Sequence, residues 1–326
     1  MKNQEIDWLL AEKYHGKKTA GFFADCERLA AGEPLAYIIG HAPFLNCQIW
    51  LDSRPLIPRP ETEFWVENAI TELRKIISPT SQPAGGAFST LYQATPLREC
   101  HSSAMVNNKY GENLPNKSAS EDTTAWPLVK HPQRECSERG HAESGARRRC
   151  PISVLDLCAG SGAIGVAVAK AVPNTHVTFA EIDPIHLPTI KKNYHENGLA
   201  DDRHTIIASD LFAHVPGTFD FILTNPPYID ATANTVDATV VEHEPHLALF
   251  GGVAGMEIIG RIIAGARAKL APPITHHRGG QLWIEHEPFQ AEAIARLAVT
   301  HGFSITHHPD QYDTVRYSVL MPTMAQ

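Results

Sequence analysis

From residue 152 onward, short apolar runs alternate with amphipathic stretches of helical length, and this alternation restricts the available folds more than any other feature of the chain. Strands are expected near 152–157, 177–180, 205–208, 219–224, 281–285, 304–307 and 316–320. Helices are expected over 163–172, 184–197, 255–270 and 289–301. Strands separated by helices of about 10–15 residues build an α/β fold with a mostly parallel sheet covered on both faces. Such sheets take ligands at the carboxyl ends of their strands, so the residues that carry chemistry are sought there.

The first half is organised differently. Residues 5–31 carry one or two short amphipathic helices, and 34–56 has turn signals and β-character. The run Ile57-Pro58-Arg59-Pro60-Glu61-Thr62-Glu63 then opens a helix over about 61–77, with proline before its first turn and carboxylates within it. From Ser78 to about Cys150, Pro, Ser, Gly, Asn and Thr dominate and neither apolar period persists, which predicts a disordered insertion.

Composition narrows the function classes. A formal net charge of -8 argues against a protein that mainly grips a phosphate backbone. The six cysteines form no CxxC pair, so neither a zinc knuckle nor a redox dithiol is expected. Adjacent histidines such as His307-His308 point to opposite faces of a strand, so no metal site is expected. No apolar run approaches the ~20 residues that span a bilayer, and the acidic residues near the N-terminus are unlike a signal peptide. The cytoplasm is the expected compartment.

Asp156-Leu157-Cys158-Ala159-Gly160-Ser161-Gly162-Ala163-Ile164-Gly165 follows the first strand of the alternating region and opens its helix. Glycines there let the backbone turn and approach a ligand. Glu181 ends the next strand, where a carboxylate can bind both hydroxyls of a ribose. Gly160, Gly162 and Gly165 also satisfy GxGxxG, so the loop alone leaves a nicotinamide or flavin dinucleotide open. Asp156, four residues before Gly160, gives a pyrophosphate nothing but suits a cationic group. Asp210-Leu211 ends a further strand, where the carboxylate can take a hydrogen bond from an exocyclic amine. Three carboxylates along one groove suit a ligand that combines a sulfonium, an ammonium, a ribose and an adenine, without phosphate.

The most specific signal is Asn225-Pro226-Pro227-Tyr228, entered directly from the strand Phe219–Thr224. The prolines stiffen the backbone and remove two donors. A planar NH2 group placed there can donate to the Asn225 side-chain carbonyl and to the Pro226 backbone carbonyl. Tyr228 is expected to pack against that group or wall off water.

With these motifs, the chain resembles the HemK/PrmC family of protein-(glutamine-N5) methyltransferases. The similar stretches are Glu33–Gly40, Leu56–Glu63, the Asp156–Gly165 loop, Asn225–Ile229, Glu244–Gly252 with Gly255, and Asp310…Arg316. The resemblance implies a class I methyltransferase fold, Rossmann-like with a seven-stranded sheet, and S-adenosyl-L-methionine as cofactor. It also implies methylation of the glutamine in the Gly-Gly-Gln loop of class-1 peptide release factors, by a monomer with no membrane or direct nucleic-acid partner. On this resemblance Asn225, Pro226 and Tyr228 are the catalytic positions. Asp156, Gly160, Gly162, Glu181, Asp210 and Leu211 hold the cofactor, and Pro227, Arg59, Glu61 and Thr62 join the substrate site. The expected division is a shortened helical segment (1–32), a β-rich connector (33–57), the first helix of the methyltransferase domain (58–78), an irregular insertion (79–150) and the catalytic domain (151–326). The segment before Glu33 is shorter than the family's usual helical domain. Glu285-His286-Glu287-Pro288 replaces the family's small glycine-ended turn. The alternatives are a glutamine methyltransferase for a ribosomal protein, an N6-adenine nucleic-acid methyltransferase, a non-catalytic relative, and a dehydrogenase.

Overall fold

Two-residue alternation along the strands sorts their side chains onto opposite faces of one sheet. Val154, Phe221 and Leu223 pack on one side, and Leu155, Leu157 and Ile222 on the other. A computed structural model describes residues 2–77, 151–233, 237–272 and 279–323. The expected insertion over 79–150 lies outside the described residues, and the described residues all fall within one compact unit.

In chain order the elements are α1 (Lys2–Glu12), α2 (Ala20–Ala30), α3 (Leu35–Ile39), β1 (His41–Phe44), β2 (Cys47–Trp50) and α4 (Pro60–Ile77). Then come β3 (Ile152–Leu157), α5 (Ala163–Ala171), β4 (Thr175–Glu181), α6 (Leu187–Glu196), β5 (His204–Ala208) and β6 (Phe221–Thr224). They are followed by α7 (Ala238–His243), α8 (His246–Leu249), α9 (Glu257–Ala266), β7 (Gln281–Glu285), α10 (Ala291–Thr300), β8 (Phe303–Pro309) and β9 (Val315–Pro322). The sheet order is β5-β4-β3-β6-β7-β9-β8. β5 through β7 run parallel, and β9 pairs antiparallel with both β7 and β8. This is the expected α/β fold with seven strands.

The departures from expectation have local causes. The connector is only half β: Leu35–Ile39 closes a short helix that ends on Gly40 in the left-handed region, φ 99°, before the β1–β2 hairpin begins. The helix expected from Gly255 begins at Glu257, because Gly255 has φ 68° and belongs to a preceding turn. Phe219 bridges Leu270 and stands apart from β6. The short helices α7 and α8 were not expected at all, since each is too brief to show a period.

The first three helices form a core of their own from Leu9, Phe22, Leu29 and Ile38. Buried Asp25 ties them together, accepting from Lys13, Tyr14 and Arg28, while Lys13 also reaches the Ile38 carbonyl. The hairpin is fastened to the sheet domain by asparagines acting in place of a strand. Asn193 accepts from the Trp50 N–H at 2.7 Å and donates to its carbonyl at 3.0 Å. One helical turn later, Asn197 does the same to Gln48, at 3.2 and 2.9 Å. The outer edge of β2 is thereby paired without a further strand. Asn193 also donates to the Ser161 carbonyl at 2.9 Å, so one wholly buried amide links hairpin, helix and glycine loop. Asn193→Ala should cost about 2–4 kcal/mol, because three backbone groups, one buried and two partly so, lose their partner at once. Urea unfolding measures this, and a loss below about 0.5 kcal/mol would show that the amide's bonds do not hold the hairpin in place.

Candidate active site

Four parallel strands end side by side, and the turns that leave them make the walls of a cleft. Cys158 and Gly160 follow β3, Glu181 and Ile182 end β4, Ser209 to Leu211 follow β5, and Asn225 and Pro227 follow β6. Leu56, Pro245, Leu247, Ala248 and Phe250 close the opposite side, and α9 contributes Ile258 and Arg261. The empty space inside, its open mouth included, is about 850 Å³, which is ample for a nucleoside-sized ligand.

The glycine loop is shaped by close packing and by two carboxylates. Cys158, Gly160 and Gly162 all have positive φ, at 61°, 53° and 77°. A Cβ on Gly165 would sit 2.3 Å from the Phe179 ring, so only glycine lets α5 rest this close to β4. Asp156 accepts from the Gly165 N–H at 2.8 Å, and Glu181 accepts from Gly160 at 2.7 Å and from Asp183 at 2.9 Å. The space over Gly160 where a Cβ would stand is open.

These contacts bear on the ligand. A dinucleotide pyrophosphate needs loop N–H groups aimed outward, whereas Gly160 spends its own on a carboxylate. Among the described residues, Arg261 is the one Lys or Arg lining the cleft, and it is paired with Asp210 at 2.7 Å. Apolar Ile182, Leu211 and Leu247 flank the acidic residues. The donor set therefore fits a ligand with ribose hydroxyls and a flat apolar ring, and offers little to phosphate.

The expected site residues divide into two groups. Gly160, Glu181, Asp210, Leu211, Asn225 and Pro227 line the cleft. Gly162 caps α5 behind it. Asp156 stands apart from the lining: it is wholly buried, with Oδ2 on Gly165 and Oδ1 without a partner among the described residues. Burial, then the nearby Glu181, push its carboxyl up to about 8 against the opposing Gly165 bond. Arg59 is expected at the substrate but forms an ion pair with buried Glu244, which also accepts from the Ile57 N–H. Glu61, half-buried in the first turn of α4, and Pro226 are also absent from the lining.

Thr62 lies directly behind Asn225, whose Nδ2 donates to its hydroxyl at 3.1 Å. The Thr62 hydroxyl in turn donates to Glu285 at 2.7 Å. Trp65 Nε1 donates to the same carboxylate at 2.7 Å, and the Tyr228 hydroxyl at 3.0 Å. Tyr228 thus anchors the turn by its phenol, which burial and the Glu285 charge keep protonated far above the ordinary range. Burial also raises the Glu285 carboxyl, although its three donors pull the other way. Gln290 holds the same turn from its far side, donating to the carbonyls of Tyr228 and Ala254. Gly251 and Gly255 leave room for it, since a Cβ on either would meet the Pro227 or Tyr228 carbonyl within 2.3 Å.

Glu285, Trp65, Glu244 and Gln290 were not among the expected site residues. The signal for Glu285 was present, as a carboxylate ending the apolar strand Gln281–Glu285 beside β6. Its partners are more than 50 residues away in sequence, and no local pattern reports them.

Comparison with known proteins places the chain in a family. Residues 147–253 match the model of the methyltransferase small domain. The release factor glutamine methyltransferase of Rhodopirellula baltica is 30% identical over 278 residues, which is 84% of this chain and 68% of that protein. That of Bifidobacterium longum is 29% identical over 295 residues, 87% of this chain and 74% of that protein. The ribosomal protein uL3 glutamine methyltransferase of Bradyrhizobium diazoefficiens is 37% identical over a shorter 137 residues, 41% of this chain and 43% of that protein. The chain belongs to the release factor glutamine methyltransferase family.

Proposed function

We propose that this chain transfers a methyl group from S-adenosyl-L-methionine to the side-chain amide nitrogen of the glutamine in the Gly-Gly-Gln loop of a peptide chain release factor. The observation that carries the reading is the placement of Asn225 on the wall of the same cleft as Glu181, Gly160 and Asp210. The relative that aligns over most of the chain acts on release factors by name, and the uL3 enzyme aligns over less than half.

Bound S-adenosyl-L-methionine supplies a methyl group on a cationic sulfur, an electrophile in need of a correctly placed nucleophile. Glu181 is proposed to hold the ribose hydroxyls, with Gly160 leaving space beside it and Leu211 packing on the adenine. Asp210 takes the exocyclic amine on the oxygen that Arg261 does not occupy. Gly162 and Asp156 act at one remove, by shaping the loop.

An amide nitrogen is a poor nucleophile because its lone pair is delocalised into the carbonyl. The Asn225 Oδ1 and Pro226 carbonyl are proposed to accept the two N–H hydrogens of the glutamine amide, which aligns the nitrogen and stabilises positive charge developing on it. The two prolines and the Tyr228–Glu285 bond keep these acceptors in place, so little reorganisation accompanies transfer. The extra proton leaves to water after the carbon–nitrogen bond has formed. With a net charge of -8 and one paired arginine on the cleft, a nucleic-acid substrate has little to bind. The reading places the chain in the cytoplasm as a monomer, with α1–α3 as the segment beside which the release factor docks.

Tritiated-methyl transfer tests this directly. Label should appear on a purified release factor and not on its Gly-Gly-Ala variant. Label on ribosomal protein uL3 or on an adenine-containing duplex, with none on the release factor, would replace the substrate. Asn225→Ala should lower kcat by about 10²–10³-fold while calorimetry still detects the donor bound with near wild-type affinity.

Asp156 gives a separate prediction. Its folded carboxyl sits at about 8 against an ordinary value of 3.8, so folding takes up a proton between those limits. Its contribution to stability is complete below about pH 4 and is lost as pH rises to about 8. Asp156→Asn has nothing to titrate and should flatten that decline. Urea midpoints at pH 5 and pH 8 measure the difference, and parallel declines in both proteins would show that Asp156 is ionised in the folded state.

A further inference from the structure

Behind the Asn225 wall lies a buried acceptor that is absent from the cleft lining. Glu285, 1% exposed, receives Trp65 Nε1 and the Thr62 hydroxyl on Oε2, both at 2.7 Å, and the Tyr228 hydroxyl on Oε1 at 3.0 Å. An indole N–H can only donate, so Oε2 is held as an acceptor. The single hydroxyl hydrogen of Thr62 is then committed to Oε2, and its oxygen can only accept from Asn225, which it does at 3.1 Å. This draws the Asn225 nitrogen toward α4 and leaves Oδ1, on the other arm of the same planar group, for the cleft that Asn225 lines.

The oxygen and nitrogen arms of an amide are nearly equal in size, so shape alone would not choose between them. The same near-equality holds for a glutamine substrate. If Asn225 turned its NH2 to the cleft, it would pair with the glutamine oxygen and bring the wrong atom to the methyl.

We propose that Glu285, acting through Thr62, is a positioning residue that fixes the direction of the Asn225 amide, so that the site seats a glutamine by its nitrogen. The inference rests on the reading of Asn225 as the acceptor for the substrate amide. Three elements make the relay: β7 brings Glu285, the first turn of α4 brings Thr62, and the turn after β6 brings Asn225. Glu285 and Thr62 are separated by 223 residues in sequence and join only through the fold.

The test is steady-state transfer to a purified release factor by the full-length chain, with kcat and KM separated. Thr62→Val keeps the side-chain shape and removes the hydroxyl; kcat should fall about 10–100-fold while KM for the donor stays unchanged. Thr62→Ser restores the hydroxyl and should recover kcat to within about threefold of wild type. Glu285→Gln must turn its one acceptor toward Trp65 and its NH2 toward Tyr228, which preserves the bond from Thr62 while giving up the acceptor of the Tyr228 hydroxyl, so kcat should fall by less than in Thr62→Val. Thr62→Ser as slow as Thr62→Val would assign the loss to packing and overturn the relay. So would a Glu285→Gln loss equal to that of Thr62→Val, which would assign it to charge. Full activity in Thr62→Val beside an inactive Asn225→Ala sinks the relay and leaves the role of Asn225 standing. Full activity in Asn225→Ala sinks that role itself.

Discussion

α5 rests close against β4, and the cleft depends on that contact. The Phe179 ring occupies the space that any side chain on Gly165 would need, and Asp156 fastens the Gly165 N–H from the neighbouring strand. The helix therefore starts hard against the sheet, and the chain must leave β3 through residues of positive φ to reach it. That forced turn carries Gly160 within reach of Glu181, so the acidic wall of the cleft results from packing behind it. The cost falls on Asp156, whose second oxygen is buried without a partner among the described residues.

The opposite wall is held by a different device. The Asn225–Tyr228 turn has no room for side chains beneath it, because Gly251 and Gly255 bring another stretch of backbone against its carbonyls. Gln290 then spans the two stretches, bonding one carbonyl from each. Tyr228 reaches past this layer to Glu285. Backbone beneath it, the Gln290 amide across it and a buried carboxylate at the side leave the turn little freedom, as preorganised acceptors require.

Much of this was legible in the sequence, and what was not has a common cause. The strands announced themselves because parallel strands buried on both faces read as mostly apolar runs, as Phe221–Thr224 and Ile152–Leu157 do. Gly160, Glu181, Asp210 and Asn225 could be placed because the ends of parallel strands gather at one edge. Asp156 and Arg59 were legible as chemistry, but a carboxylate before a glycine turn and an arginine before a helix can each serve a ligand or the backbone. Here the first holds Gly165 and the second holds Glu244. The bonding roles of Glu285, Asn193 and Gln290 went unread because each bonds elements distant in sequence or backbone groups that carry no side-chain signature.

The segment before α4 shows why so distinctive a motif need not touch a ligand. Tyr37 donates to the Pro55 carbonyl at 2.7 Å and carries the Arg54 guanidinium 4.3 Å above its ring. Arg54 also pairs with Glu33, which Arg28 holds from α2. At the other end, Glu244 takes both the Ile57 N–H and Arg59. Residues 54–59 are thus fastened to the N-terminal helices on one side and to the loop between α7 and α8 on the other, and Leu56, between the fastenings, is set at the cleft. Two prolines stiffen the span and prepare the first turn of α4, where Thr62 must meet Asn225. Because Glu244 is buried, removing Arg59 would strand a carboxylate away from water. Arginine is therefore required here by the fold alone, whatever the substrate adds.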